Sequence, residues 1–401
     1  MNDTNTTLEA KPSTVYALSG LLLVNSILSV FGNILILYTF MVERPLGKPL
    51  RIILSHLAVT NLLIAGIGEP MVVISGFNLR WVFGEMGRKM EAYTVTACGL
   101  MAMSILGLVS IERYLRVTGR KRMKVTETVA VRTCTLLWIY NVAYASVPFY
   151  GIAGWKGEGI GISNSLEWQT NRTTDIVYVV VMMITGYFLP LIVISFCYNR
   201  ILFFVKQAVD VYEDNDRVGR GEGELPSYDT QMTKVNTTTN VGEGTSAANG
   251  DESQSSTQNN NLSVEVKQSR GAADSNWRSG TSGDSLVHSD NQREGRENND
   301  PINRIKAAER KISNVIAIII VSFFVSWTPY TIVNLLVTFD KAHMFSKGIN
   351  ATVPALLAKT STLWSPIIYC VMNGEVRTAN LKTLSKLKRR LRILYFGGSA
   401  S

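Results

Sequence analysis

Charge and cysteine are both scarce in this chain. Only 18% of its 401 residues are charged, and it has four cysteines and three histidines. Cys98, Cys134, Cys197 and Cys370 all fall inside long apolar runs, so no disulfide framework can staple an outer face. His56, His288 and His343 belong to different segments and nothing has metal-ligand spacing, so no metal centre is expected. The basic residues flank apolar runs and are not interleaved with exposed aromatics, which argues against a nucleic-acid partner.

What the chain has in abundance is uninterrupted apolar sequence. Blocks of mostly apolar residues occupy 15–41, 51–76, 92–112, 129–154, 176–205, 312–338 and 348–372. Each is long enough to cross roughly 30 Å of hydrocarbon as a helix. The expected fold is an all-α membrane protein, a bundle of seven transmembrane helices, and this excludes a soluble enzyme, a fibre and a secreted module. Seven spans put the chain ends on opposite sides. Lys and Arg gather beside one set of span ends, which predicts residues 1–14 outside and the carboxyl end inside a plasma membrane. Residues 1–14 lack a basic start and the first block is a full span, so no cleavable signal peptide is expected.

The remaining segments divide the chain further. Spans one to five occupy 15–204 and spans six and seven 309–373, separated by an insert at 205–308 with 11 basic and 17 acidic residues. The insert is rich in Ser, Thr, Asn and Gly and cannot bury enough apolar surface to offset chain entropy, so it reads as a disordered cytoplasmic loop. Without it the net charge rises from +9 to +15, nearly all on the inner face, which suits anionic lipids and an acidic cytoplasmic partner. In 374–401, apolar and basic residues alternate at helical spacing as far as Arg392, predicting an amphipathic helix on the inner leaflet. Asn2, Asn5, Asn171 and Asn350 begin Asn-x-Ser/Thr triplets in outer segments, where glycosylation is possible.

The chemistry starts with ionisable residues inside apolar spans, because each is costly to bury. Lys359 lies 14 residues before Asn373, or roughly 21 Å above the inner boundary. An amine at that depth requires a carboxylate or a covalent partner, and desolvation makes it a better nucleophile toward an aldehyde. Three acids are candidate partners: Glu91 at the outer end of the third span, Glu158 in the loop after the fourth, and Glu69 in the second.

The chain resembles the rhodopsin-like class of G-protein-coupled receptors through residues in all seven spans. They are Gly32-Asn33, Leu57-Ala58-Val59-Thr60-Asn61, Glu112-Arg113-Tyr114, Trp138, Pro190 with Tyr198, Ser326-Trp327-Thr328-Pro329-Tyr330 and Ser365-Pro366-Ile367-Ile368-Tyr369. Within that class it is similar to the opsins, of invertebrate type: Lys359 precedes Pro366 by seven residues and Tyr369 by ten, and Asn78–Gly84 resembles the outer turn.

The resemblance implies 11-cis-retinal bound to Lys359 as a protonated Schiff base, with Glu91 or Glu158 as counterion. It also implies a wall of Trp327, Tyr330, Tyr187, Phe188 and Ala355. Light would isomerise the chromophore and move the sixth span outward. Glu112, Arg113, Tyr114, Tyr198, Glu309, Pro366 and Tyr369 would carry the signal, with Arg113 and Glu309 forming an inner ionic contact. The implied partners are a heterotrimeric G protein, arrestin and a receptor kinase, and the chain would not be an enzyme.

Some residues depart from the family pattern. Arg88 and Asn164 stand where the family has its outer disulfide, so the loop carrying Glu158 is expected to be loosely held and the pigment open to hydroxylamine. Ser365 replaces the usual Asn and Asn61 the usual acid, which argues against a sodium site. Two other readings stay open: a receptor for a diffusible ligand in which Lys359 pairs with an anion, and a retinal photoisomerase.

Overall fold

The computed structural model describes residues 10–119, 124–168, 170, 172–219, 301–339 and 347–396, without the side chains of 208–219, 301–306 and 390–396. The chain divides into two compact units, Met1–Glu213 with Asn298–Ser401, and Asp214–Glu297. The bundle belongs to the first. The expected disordered loop falls largely on the second, at 220–300, outside the described residues.

Seven helices form the bundle and an eighth follows it, among the described residues. α1 is Pro12–Val42 and α2 is Lys48–Phe77; α3 is Gly84–Val117, α4 Glu127–Ala145 and α6 Pro301–Thr338. α5 runs from Thr173–Met183 through a wide turn at Ile184–Phe188 into Leu189–Gly219. α7 comprises Gly348–Lys359 and Ser361–Met372, and α8 is Gly374–Phe396. Six of the bundle helices are long and apolar enough to cross a membrane, and α4 is the exception. It carries Glu127, Arg132, Asn141 and two tyrosines in its short length.

The helix ends differ from the sequence expectation in two ways. α4 stops at Ala145 rather than near 154, because Pro148 disfavours helix at the residue before it and the chain tightens into a 3-10 turn at Val147–Tyr150. α5 and α6 instead extend into the polar insert, to Gly219 and back to Pro301. Sequence such as Lys206-Gln207-Ala208 is helix-compatible, and elongating a formed helix avoids the cost of a new nucleus. Pro301 opens α6 where its missing N–H costs nothing.

The inner half of the bundle is packed around Leu57, Met101, Ile105, Leu106, Ile316 and Tyr369. α1 and α7 approach closely at Gly32, where a Cβ would lie 2.7 Å from Pro366 Cβ. Polar groups tie the helices together nearby: Asn33 Nδ2 donates to the Thr362 carbonyl at 3.0 Å and Asn61 Nδ2 to Asn33 Oδ1 at 3.2 Å. On the outer side a two-stranded hairpin, β1 Trp155–Glu158 and β2 Ser163–Leu166, packs on α3 and pairs Gly157 with Asn164 and Glu158 with Ser163.

Candidate functional site

α7 is interrupted where it carries Lys359. The Thr360 N–H donates to both Leu356 and Leu357 carbonyls, and the helix restarts at Ser361. Thr362 Oγ1 donates back to the Lys359 carbonyl at 3.0 Å. The Lys359 side chain is 4% exposed, and its Nζ lies 3.5 Å from Glu91 Oε1. The amine also donates to Ser163 Oγ at 3.2 Å, and that hydroxyl donates to Glu158 Oε2 at 3.4 Å. Glu91 therefore faces the amine directly, and Glu158 reaches it through Ser163.

The two acids sit in different surroundings. Glu91, on α3, is fully buried; its Oε2 accepts the Asn164 N–H at 2.9 Å, while Oε1 has no hydrogen-bond partner. Glu158 belongs to the hairpin outside the spans. Its burial pushes the carboxyl up to about 7, partly offset by the Lys359 ammonium and reinforced by Glu91. Glu69 makes a separate cluster between α1, α2 and α7: its carboxylate accepts from Asn25 Nδ2 at 2.9 and 3.1 Å, with Thr362 Oγ1 3.2 Å away.

Lys359 ends an apolar cavity with about 780 Å³ of atom-free space including its mouth, lined by Leu100, Met103, Met183, Tyr187, Trp327 and Tyr330 among others. Trp327 Nε1 donates to Ser361 Oγ at 2.9 Å, and Tyr187 OH shares a 2.6 Å hydrogen bond with Thr328 Oγ1. These bonds satisfy the polar tips of two rings that line the cavity. Gly99 and Gly186 admit bulky neighbours: a Cβ at Gly99 would lie 2.7 Å from the Trp327 indole, and one at Gly186 2.3 Å from Leu100.

Of the expected wall, Tyr187, Trp327, Tyr330 and Ala355 line the cavity and Phe188 does not. Phe188 is 38% exposed with its ring edge-on to Tyr187. Adjacent helical residues diverge by roughly 100°, so the two cannot share one face. Sequence reasoning also missed Ser163, Gly99, Leu100 and Trp168, which no motif marks. The loosely held loop is corrected as well. Arg88 Nη1 donates to Asn164 Oδ1 at 2.7 Å, the Ile160 N–H to Thr352 Oγ1 at 3.0 Å and the Ala153 N–H to Asp175 Oδ1 at 2.9 Å.

At the opposite end, Arg113 is 2% exposed and bonds both Glu112, at 2.5 Å, and Glu309 of α6, at 2.8 Å. Tyr198 OH donates to the Ser313 carbonyl at 3.3 Å, the Tyr114 ring meets Phe196, and Tyr369 packs against Phe40. Asn350 is exposed in the first turn of α7, while Asn2, Asn5 and Asn171 lie outside the described residues.

Together these groups make a site where an apolar molecule can lie end-on to a desolvated amine. An aldehyde could condense with that amine, leaving a cation opposite Glu91. Residues 32–369 match the family described as 7 transmembrane receptor (rhodopsin family). The chain is 23% identical over 375 residues to Melanopsin-A of Danio rerio, covering 93% of this chain and 50% of that protein. It is 22% identical over 358 residues to a protein of Mizuhopecten yessoensis named "Rhodopsin, GQ-coupled", covering 88% and 56% respectively. The chain thus spans about half the length of these curated relatives. The crystal structure of squid rhodopsin shares the fold, with a TM-score of 0.69 at 18% identity over 96% of this chain and 92% of that one.

Proposed function

Because this chain belongs to the rhodopsin family of seven-transmembrane receptors, we propose that it is a light-sensing receptor that holds retinal as a protonated Schiff base on Lys359 and signals to a heterotrimeric G protein. The observation that carries this reading is the Lys359 amine, 4% exposed and 3.5 Å from Glu91, at the end of an aromatic-lined apolar cavity. Glu91 Oε1 has no hydrogen-bond partner and lies 3.5 Å from the Lys359 amine, which suits a cation held there, since a buried carboxylate without an opposite charge is costly. When bound, retinal supplies a polyene whose shape changes on absorbing light; the 11-cis isomer is the expected dark form.

The protein's own residues do the rest. Glu91 stabilises positive charge at the amine, and the hairpin with Glu158 and Ser163 covers that end from water. Trp327 lies against the cavity while hydrogen-bonded to Ser361, so the cavity wall joins α6 to α7. At the inner end Arg113, braced by Glu112 on its own helix, ties α3 to α6 through Glu309. Releasing Glu309 frees α6 to move outward and admit the partner, a two-state change both ends can bias. In the plasma membrane the amino end would face outward, with Asn2, Asn5 and Asn171 open to glycosylation. Tyr114, Tyr198, Pro366 and Tyr369 would belong to the inner rearrangement, and arrestin and a receptor kinase would act from the same face.

The test is a spectrum after adding 11-cis-retinal to parent and Lys359→Ala protein, followed by borohydride reduction and peptide mapping. A visible band lost in the variant, with a retinyl adduct on Lys359, is expected. No band and no adduct would leave a receptor for a diffusible ligand. Uptake of all-trans-retinal in the dark and release of a cis isomer in light would indicate a photoisomerase.

A further inference from the structure

Arg88 lies one helical turn before Glu91 on α3, and its guanidinium reaches the outer hairpin. Arg88 Nη1 donates to Asn164 Oδ1 at 2.7 Å, and the backbone N–H of Asn164 donates to Glu91 Oε2 at 2.9 Å. One residue of β2 is thus gripped at two points by a single turn of α3. The far oxygen of Glu91 faces Lys359 at 3.5 Å, so a continuous chain of polar contacts runs from Arg88 to the amine.

The surroundings hold Arg88 in this pose. Its Nε pairs with Glu85 at 3.6 Å and its guanidinium lies 5.9 Å from the Trp81 ring centroid. Directly across the hairpin from Asn164 is Gly157, where a Cβ would sit 2.8 Å from Arg88 Nη1. The guanidinium occupies space that exists because residue 157 has no side chain. Asn164 itself is 2% exposed, so a side-chain carbonyl deprived of Arg88 would be left with few other donors.

We infer that Arg88, with Asn164 and Gly157, forms a non-covalent clamp that positions the Asn164 N–H on Glu91 and keeps that carboxylate ionised toward Lys359. Arg88 and Asn164 are positioning residues: they act on the amine only through Glu91. The clamp deepens the proposed function and rests on it for the spectral readouts alone, since it can also be measured in retinal-free protein.

The variants are Arg88→Ala, Asn164→Ala, which keeps the backbone donor, and Gly157→Ala, with Met86→Ala, an exposed α3 residue outside the clamp, as control. In retinal-free receptor in detergent, deuterium exchange of the 155–166 peptide should quicken about tenfold in the three clamp variants and stay near parent in the control. The infrared carboxylate signal of Glu91, assigned by difference against Glu91→Gln, should give way to a protonated carboxyl. In the pigment, the visible band should be lost at a pH lower by about one unit, and hydroxylamine should bleach faster in the dark.

Unchanged exchange in any clamp variant that melts near the parent overturns the clamp. Faster exchange with an unchanged Glu91 signal and an unchanged pH profile overturns the positioning role. If the parent forms no pigment, the light-sensing reading fails while the exchange and infrared results still judge the clamp.

Discussion

Glu91 opposes Lys359 at 3.5 Å with neither side chain more than 4% exposed, and only one of the two carboxylate oxygens has a hydrogen-bond donor. Removing one member of a buried ion pair leaves the other uncompensated, which costs far more than the pair contributes. Lys359 lines the apolar cavity and Glu91 does not, so the pair presents its positive member to whatever the cavity holds.

The first prediction separates the two acids. Glu91→Gln should abolish the visible band of the retinal-loaded protein at neutral pH. Glu158→Gln, which alters a group one hydroxyl removed from the amine, should keep it. Spectra of the two variants decide the matter, and the reverse pattern would make Glu158 the counterion.

Glu158 should also set a pH dependence of stability. Its carboxyl rises from an ordinary value of 4.5 to about 7, so between those values the folded protein holds a proton the unfolded chain has released. Stability is then greatest at low pH, declines as pH rises through that window and levels off above it, by roughly 3 kcal/mol for this group. Melting of the retinal-free protein in detergent from pH 4 to 8 should show a contribution that disappears in Glu158→Gln.

Breaking the inner contact should raise activity in the dark. Glu309 is 27% exposed, so its loss is worth about 1 kcal/mol after solvent screening, or about fivefold in the population of the open state. Nucleotide exchange on a purified G protein should rise by that factor in Glu309→Gln before illumination. No rise would show that the contact does not restrain α6.

The approach of α1 to α7 should tolerate no added atom. Gly32→Ala pushes a methyl to 2.7 Å from the rigid Pro366 ring, so overpacking should cost about 1–3 kcal/mol and lower the melting temperature by several degrees. Gly20→Ala, where a Cβ meets nothing within 4 Å, serves as the control and should not destabilise.

How much of this was legible depended on the distance between cause and effect along the chain. The apolar runs specify the helices because a membrane-length stretch must satisfy its own backbone. Lys359 stands out because a charge within such a run is conspicuous. The Tyr187 and Phe188 pair was misjudged because composition does not fix which way a helix faces once a wide turn at Ile184–Phe188 resets its rotation. The helix ends at Ala145, Gly219 and Pro301 were not legible, because hydropathy measures burial in lipid and not helix length.

The sequence by itself determined that seven apolar helices carry one deep amine and several acids able to neutralise it, since those costs attach to residue type and run length. Tertiary structure alone decided which acid meets the amine. Glu91 is chosen by the turn of α3 that faces Lys359 and by a hairpin whose Asn164 is held by Arg88, and hydrogen bonds act over about 3 Å between residues far apart in the chain. No local pattern encodes such a meeting, because the free energy that selects it belongs to the packed bundle.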